Sequence, residues 1–251
     1  MTLSTSARRV ERVRHELKRR DVQVARVEQL SPHFRRVTFT GDALRDFVSL
    51  SFDDHVKLFF APADDGAEPA RRDYTPRSYD NAADELQIEF ALHGEGAASD
   101  WAAQAAPGQT LTVAGPKGSL IIPVDYDWHL LVGDETALPA IEVMLGQLPA
   151  SARATVLVEV ADAAEEQALT SAATLDVHWR HRDGAPAGRE TSLVEALRAI
   201  DVPSTDIAVW AAGEKAAVQA VRTHLISERG LDRRQVRAGS YWRLGHQGSP
   251  A

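Results

Sequence analysis

The chain is 251 residues long, 44% hydrophobic and 25% charged, which suits a soluble core of one or two domains. It contains no cysteine, which excludes disulfides, a thiol nucleophile and a thiolate-held iron–sulfur cluster, so redox chemistry would need an organic cofactor or a metal on nitrogen and oxygen ligands. The net charge of −8 is uneven, +5 over residues 1–20 and −13 over the rest, and so acidic a body argues against nucleic-acid binding.

Residues 7–20 read as a short polar helix, part of a basic N-terminal arm (1–21) that is solvated rather than bound to an anionic membrane. From Val22 the pattern becomes β. Val22, Val24 and Val27 fit a first strand, and Phe34 to Thr40 a second, stopped by Gly41-Asp42. His55 to Phe60 fits a third, and a Pro/Asp/Gly loop runs from Ala61 to Ala70. Arg72 to Tyr79 is extended. Leu86, Ile88, Phe90 and Leu92 alternate with polar or small residues, as in a half-buried strand, and Gln109 to Ala114 makes a sixth. Six antiparallel strands predict a small closed barrel over 22–123.

Beyond Pro123 the pattern changes again, with the boundary expected between Pro123 and Asp127. Apolar runs at Trp128–Gly133, Thr155–Val160, Leu175–Trp179 and Asp206–Ala212 lack alternation. They are interleaved with helices over Ala137–Gln147, Ser192–Arg198 and Glu214–Arg229. Continuous apolar strands between helices predict a parallel sheet covered on both faces, over 124–251. No membrane-length apolar run and no apolar signal core is present, so a cytoplasmic chain without stable membrane insertion is expected.

The densest chemistry lies in Arg72-Asp73-Tyr74-Thr75-Pro76-Arg77. Arginine offers a planar fork for phosphate, Tyr74 a flat face, and Thr75 a short hydroxyl for a polar ring atom. A flavin dinucleotide carries all three complements. His93-Gly94-Glu95-Gly96-Ala97-Ala98-Ser99 is a small-residue turn opening a helix, where free N–H groups favour a pyrophosphate. Gly133-Asp134-Glu135-Thr136-Ala137-Leu138-Pro139-Ala140 and Ala212-Gly213-Glu214 both end parallel strands, the edge at which open α/β sheets bind ligands. Neither is the G-x-G-x-x-G fingerprint, so contacts to a nicotinamide or a ribose hydroxyl fit better than a phosphate at the turn. His178 and His181 have metal-like spacing, but on a strand i and i+3 face opposite ways, and no metal site is expected. The absence of G-x-S-x-G leaves a hydrolase triad without support. Gly239 to Arg243 reads as a last strand or as an aromatic and cationic contribution to the site.

These motifs, with Trp101, Gly115-Pro116-Lys117-Gly118-Ser119 and Tyr241-Trp242-Arg243, resemble the siderophore-interacting proteins over roughly residues 22–245. These are ferredoxin-reductase-like flavoproteins that reduce ferric siderophores. The resemblance implies an FAD-binding six-stranded barrel, an NAD(P)H-binding α/β domain with NADH or NADPH as donor, and a ferric siderophore as substrate. It implies Arg72 on the FAD phosphates, Tyr74 on the isoalloxazine and Thr75 near its N5. Arg77, His93, Gly94, Gly96, Ala97 and Ser99 would complete the flavin site. Asp134, Thr136, Ala137, Gly213, Glu214 and Trp242 would line the nucleotide side. Lys57, Lys117 and Arg243 would hold the anionic ferric complex. A general flavin reductase, a partner of reduced ferredoxin and a non-catalytic siderophore-binding protein are the alternative readings.

Overall fold

The computed structural model describes residues 10–61, 68–92, 96–203 and 205–245. Its first part is an antiparallel sheet of seven strands: β2 (Arg19–Ser31), β3 (Phe34–Thr40), β4 (Val56–Phe60), β5 (Ala70–Tyr74), β6 (Pro76–Asp80), β7 (Glu85–Ala91) and β8 (Thr110–Ala114), in the order β5-β4-β8-β2-β3-β7-β6. β1 (Glu11–Arg14) and β9 (Gly118–Ile121) form a separate antiparallel pair, and α1 (Ala97–Ala103) follows β7.

The strands that end this seven-stranded sheet are adjacent in sequence. Tyr74 pairs with Val56 of β4, and Pro76 pairs with Ile88 of β7 at the opposite margin, so only Thr75 separates the two edges. The sheet therefore curls until its margins meet at that residue. The expected barrel wall is present with seven strands instead of six. The expected single segment Arg72–Tyr79 is two strands, because Pro76 has no N–H to donate and the chain changes partner there. Val22, Val24, Val37, Phe39, Val56, Leu58, Phe60, Leu86, Ile88, Phe90 and Val113 fill the interior.

The expected N-terminal helix is not formed. Glu11 to Arg14 pairs with Ile121 to Gly118, and from Arg19 the chain is already in β2. Residues of good helix propensity are drawn into strand by a partner a hundred residues away, and propensity is a weak prior against tertiary pairing.

The second part is a five-stranded parallel sheet of β10 (Trp128–Asp134), β11 (Arg153–Val160), β12 (Thr174–His181), β13 (Ile207–Glu214) and β14 (Val236–Trp242), in the order β12-β11-β10-β13-β14. α2 (Leu138–Gln147) packs on one face; α3 (Ser192–Leu197) and α4 (Lys215–Thr223) pack on the other. The expected long helix to Arg229 is α-helical to Thr223, then a π-turn over His224–Glu228. Since β11 and β12 lie to one side of β10 and β13 and β14 to the other, the strand order reverses between β10 and β13. That switch point is where such sheets open a crevice.

The two parts share a core. Phe34 and Phe52 of the antiparallel part are buried among Leu131, Ile141, Val156 and Trp210 of the parallel part, with Phe52 edge-on to the Trp210 ring at 5.4 Å. No helix among the described residues is long and apolar enough to cross a membrane.

Candidate active site

Tyr74, Thr75 and Pro76 form the crease where the curled sheet meets itself. The Tyr74 ring lies 4.5 Å from Phe90, which packs 5.6 Å from Trp101, so the crease rests on an aromatic bed shared with Phe39 and Phe60. Tyr74 is thus part of the barrel core as well as a candidate ring face. Burial pushes its hydroxyl well above the ordinary tyrosine range, with Arg72 opposing weakly, so it stays neutral. Thr75 is buried.

Arg72 is half-exposed, and its guanidinium donates only to the neighbouring Arg71 carbonyl at 2.9 Å among the described residues. Gly96 precedes α1 with φ 144°, which favours glycine. Among the described residues a Cβ there would meet nothing within 4 Å, and Gly96 at the N-cap offers no side-chain cap. The N–H groups that open α1 and the Arg72 fork are the donor types that suit a pyrophosphate. His93 and Gly94 lie outside the described residues.

Arg77 has a different setting from Arg72. Its Nε donates to Glu142 of α2 at 3.0 Å, its second nitrogen also bonds Glu142, and Glu89 of β7 lies 3.5 Å away. Glu89 in turn accepts from Arg36 at 2.8 and 2.5 Å. Arg77 therefore ties the two parts together, and its charge is already matched. Burial, with repulsion from Glu142, raises the Glu89 carboxyl above its ordinary value.

At the switch point Asp134 is buried and fully engaged. One carboxylate oxygen accepts from the Thr136 N–H at 2.9 Å and its hydroxyl at 2.5 Å; the other accepts from the Glu214 N–H at 2.9 Å and Trp242 Nε1 at 2.8 Å. Gly213 has φ 143°, and a Cβ there would lie 2.5 Å from that carboxylate. Gly133 likewise lets β10 and β13 approach, since a Cβ would lie 2.6 Å from the Ala212 carbonyl. Asp134 is a brace between β10, β13 and β14. Glu214 caps α4, accepting from Ala216 and Ala217, and also holds the Leu244 N–H at 3.2 Å. Ala137 is buried against Gly133, so of the loop residues expected to contact a nucleotide only Thr136 is partly exposed.

Next to this loop a cavity of about 250 Å³ opens between His33, Phe34, Ala91 and Leu92 on one side and Glu135, Ala161, Glu165 and Arg182 on the other. Arg182 and Glu135 pair there at 2.6 and 2.8 Å. His178 and His181 pair with Asp176 and Glu166, and no group suited to a metal occurs among the described residues.

The expected substrate cations are split. Lys57, on the outer face of β4, pairs with Asp73 at 2.6 Å. Lys57 is in register with Ala114, and Lys117 follows three residues later on an exposed turn. Arg243 instead lines a cleft of about 660 Å³ beside α3 and α4, with Arg198 and Lys215. Sequence reasoning missed Asp53 and placed no role on Tyr241. The Tyr241 hydroxyl donates to Asp53 at 3.0 Å across the junction of the two parts. An aspartate following a phenylalanine in a loop carries no local signal of that contact.

Comparison with known proteins agrees with this architecture. Residues 126–245 match the siderophore-interacting protein family, and residues 23–67 and 62–120 match the siderophore-interacting FAD-binding domain. The NADPH-dependent ferric-chelate reductase of Escherichia coli K12 is 36% identical over 96% of this chain and 99% of its own. The ferric vibriobactin reductase ViuB of Vibrio cholerae serotype O1 is 30% identical over 88% of both. A siderophore utilization protein from T. fusca, 36% identical, superposes with a TM-score of 0.89 over 97% of this chain and 98% of that one. With relatives matched over most of their length and both parts of the fold accounted for, the chain belongs to the siderophore-interacting protein family.

Proposed function

We propose that this protein reduces ferric siderophores, taking electrons from NADPH or NADH through FAD and releasing Fe(II). The observation that carries the reading is the position of Thr75. It stands at the crease of the flavin-binding barrel, and Tyr241 from the parallel sheet, next in sequence to the switch-point residue Trp242, reaches the same spot. A ring seated at Thr75 would therefore adjoin the crevice where a dinucleotide donor docks. FAD supplies the chemistry that joins the two reactants, since it accepts a pair of electrons and releases them singly.

The chain's residues have separable tasks in this reading. Arg72 and the start of α1 at Gly96, Ala97 and Ser99 hold the pyrophosphate. Tyr74 lies along the ring and Thr75 offers a hydroxyl to its edge. Asp134, Gly213, Glu214 and Trp242 shape the switch-point loop so that Thr136 faces the nucleotide. Lys57 and Lys117 form the rim that attracts an anionic ferric complex to an acidic protein, and Arg243 adds positive potential from the neighbouring cleft. Reduction lowers the charge and hardness of the metal, so the oxygen-rich ligand loosens its hold. We place the reaction in the cytoplasm, where reduced nicotinamide is made.

The test is anaerobic reduction of the purified yellow protein by NADPH, NADH and reduced ferredoxin in turn, then mixing with catecholate and hydroxamate ferric siderophores while Fe(II) is trapped. Reduction by a nicotinamide followed by reoxidation with Fe(II) appearing is expected. A reduced flavin that ignores every ferric siderophore but passes electrons to free flavin or ferredoxin would favour a general reductase. Colourless protein that binds the ferric complex would favour a carrier.

A further inference from the structure

Asp53 is a carboxylate placed where neither the fold nor the expected site asks for one. The loop that carries it inserts Phe52 into the parallel part, which leaves Asp53 accepting from the Tyr241 hydroxyl at 3.0 Å, with the Trp210 indole near it. His55 and Arg237 are the charged groups near it. The Tyr241 hydroxyl faces Asp53 on one side and the Thr75 hydroxyl on the other, with Asp134 as a more distant charge. The Thr75 hydroxyl lies beside that of Tyr241, and the tyrosine donates to Asp53. The three groups line up from the crease, through the Tyr241–Asp53 bond, towards the loop that carries the exposed His55.

The overall reaction needs such a path. Oxidation of one NADPH by two ferric ions gives NADP⁺, two ferrous ions and one proton. The hydride carries a proton and two electrons into the site, and each Fe(III) removes one electron and no proton. One proton per nicotinamide must therefore leave from the ring position beside Thr75.

We propose that Thr75, Tyr241 and Asp53 form the exit relay for that proton, Thr75 passing it to Tyr241 and Tyr241 to Asp53, from which it reaches solvent past His55. The proposal rests on the reductase reading above. Tyr241 is half-buried, and the desolvation of its hydroxyl beside the Asp53 carboxylate holds that hydroxyl far above the ordinary tyrosine range, so it conducts a proton without ionising. Burial raises the Asp53 carboxyl, against the hydrogen bonds from Tyr241 and Trp210, which suits a transient proton acceptor. Asp53 and Tyr241 act through Thr75 and are relay residues, not groups in contact with the substrate.

Tyr241→Phe keeps the ring packing against Trp210, and Asp53→Asn keeps an acceptor for both donors, so both variants should fold; thermal melts verify this. The flavin is reduced anaerobically and reoxidised by ferricyanide, which also takes electrons singly and without protons, while an indicator dye follows proton release. In the wild type one proton should appear per two ferricyanide reduced. In each variant proton release and reoxidation should slow together by roughly ten- to a hundredfold, with a larger solvent deuterium isotope effect, while reduction by NADPH keeps its rate. In flavin-free protein, ¹³C NMR should show the Asp53 carboxyl titrating higher in Tyr241→Phe, since a donor to its charged form is gone. Wild-type reoxidation rates and isotope effects in both variants would overturn the relay, as would an Asp53 titration indifferent to Tyr241. Wild type that reacts with ferricyanide but not with ferric siderophores would sink the substrate assignment and leave the relay standing. Protein that takes up no FAD would overturn both.

Discussion

Arg72 and Arg77 look equivalent in sequence, five residues apart around the same tyrosine, yet they stand in different settings. Arg77 is committed to Glu142 and Glu89, whereas the Arg72 guanidinium donates only to the Arg71 carbonyl among the described residues. Arg72→Ala should weaken FAD by roughly ten- to a hundredfold, the ~1.5–3 kcal/mol of a charge-assisted contact, read by flavin fluorescence titration. Full flavin occupancy in that variant would remove Arg72 from the phosphate site. Asp134 teaches the reverse lesson. Its place after a parallel strand suggested a ligand, but its four acceptor positions are taken by Thr136, Glu214 and Trp242. Asp134→Ala would strand a buried N–H and an indole donor, so it should cost about 2–4 kcal/mol in urea unfolding. A variant of unchanged stability with weakened NADPH binding would restore the ligand role. Thr75 stands out in the sequence as a hydroxyl between Tyr74 and Pro76, although the strand break at which it stands was not legible. The role of Asp134 depends on Trp242, over a hundred residues on, and no local pattern carries that.

Among the elements, the parallel strands were legible as unbroken apolar runs, because burial on both faces removes alternation. Two elements were not. β1 has the composition of a solvated helix, and only its pairing with β9 makes it a strand. The turn between β5 and β6 reads as continuous strand until the sheet order reveals the change of partner. The junction of β6, β7 and α2 carries a pH signature. Burial, helped by Glu142, raises the Glu89 carboxyl, and one of its oxygens has no partner among the described residues. A carboxyl raised in the folded state binds its proton more tightly there than when unfolded. Its contribution to stability is complete below the ordinary value of 4.5 and is lost as pH rises through the raised one. Glu89→Gln, which cannot ionise, should therefore show a flatter melting temperature above pH 4.5 than the wild type. Parallel curves for the two proteins would mean that Glu89 titrates normally.

For the molecule as a whole, Phe34 and Phe52 matter more than the chain order suggests. Two sheets with separate folding patterns usually meet across a polar, separable surface. Here two phenylalanines of one part complete the core of the other. Unfolding should accordingly be a single calorimetric transition, and Phe52→Ala should lower stability by about 3–5 kcal/mol. Two resolved transitions in the wild type would show that the parts are independent. That a barrel precedes an α/β sheet was readable from the change in hydrophobic pattern. That the parts share a core was not, since Phe34 looks like an ordinary residue of its own sheet and Phe52 like one of a loop.

The joining of both margins of the antiparallel sheet through Thr75 also restricts how this protein can vary. A strand faces its two sides alternately, so one inserted or deleted residue at the crease would turn either Tyr74 or Pro76 and everything beyond it inside out. Length can drift in a loop that merely connects strands, but not in a peptide that is itself the seam. Cutting the backbone at Thr75 and rejoining the chain elsewhere would untether the two end strands, which share no ladder, and leave their outer edges free to meet other chains. A circular permutant opened at this position should therefore associate through those edges, whereas one opened within 61–70 keeps the seam closed.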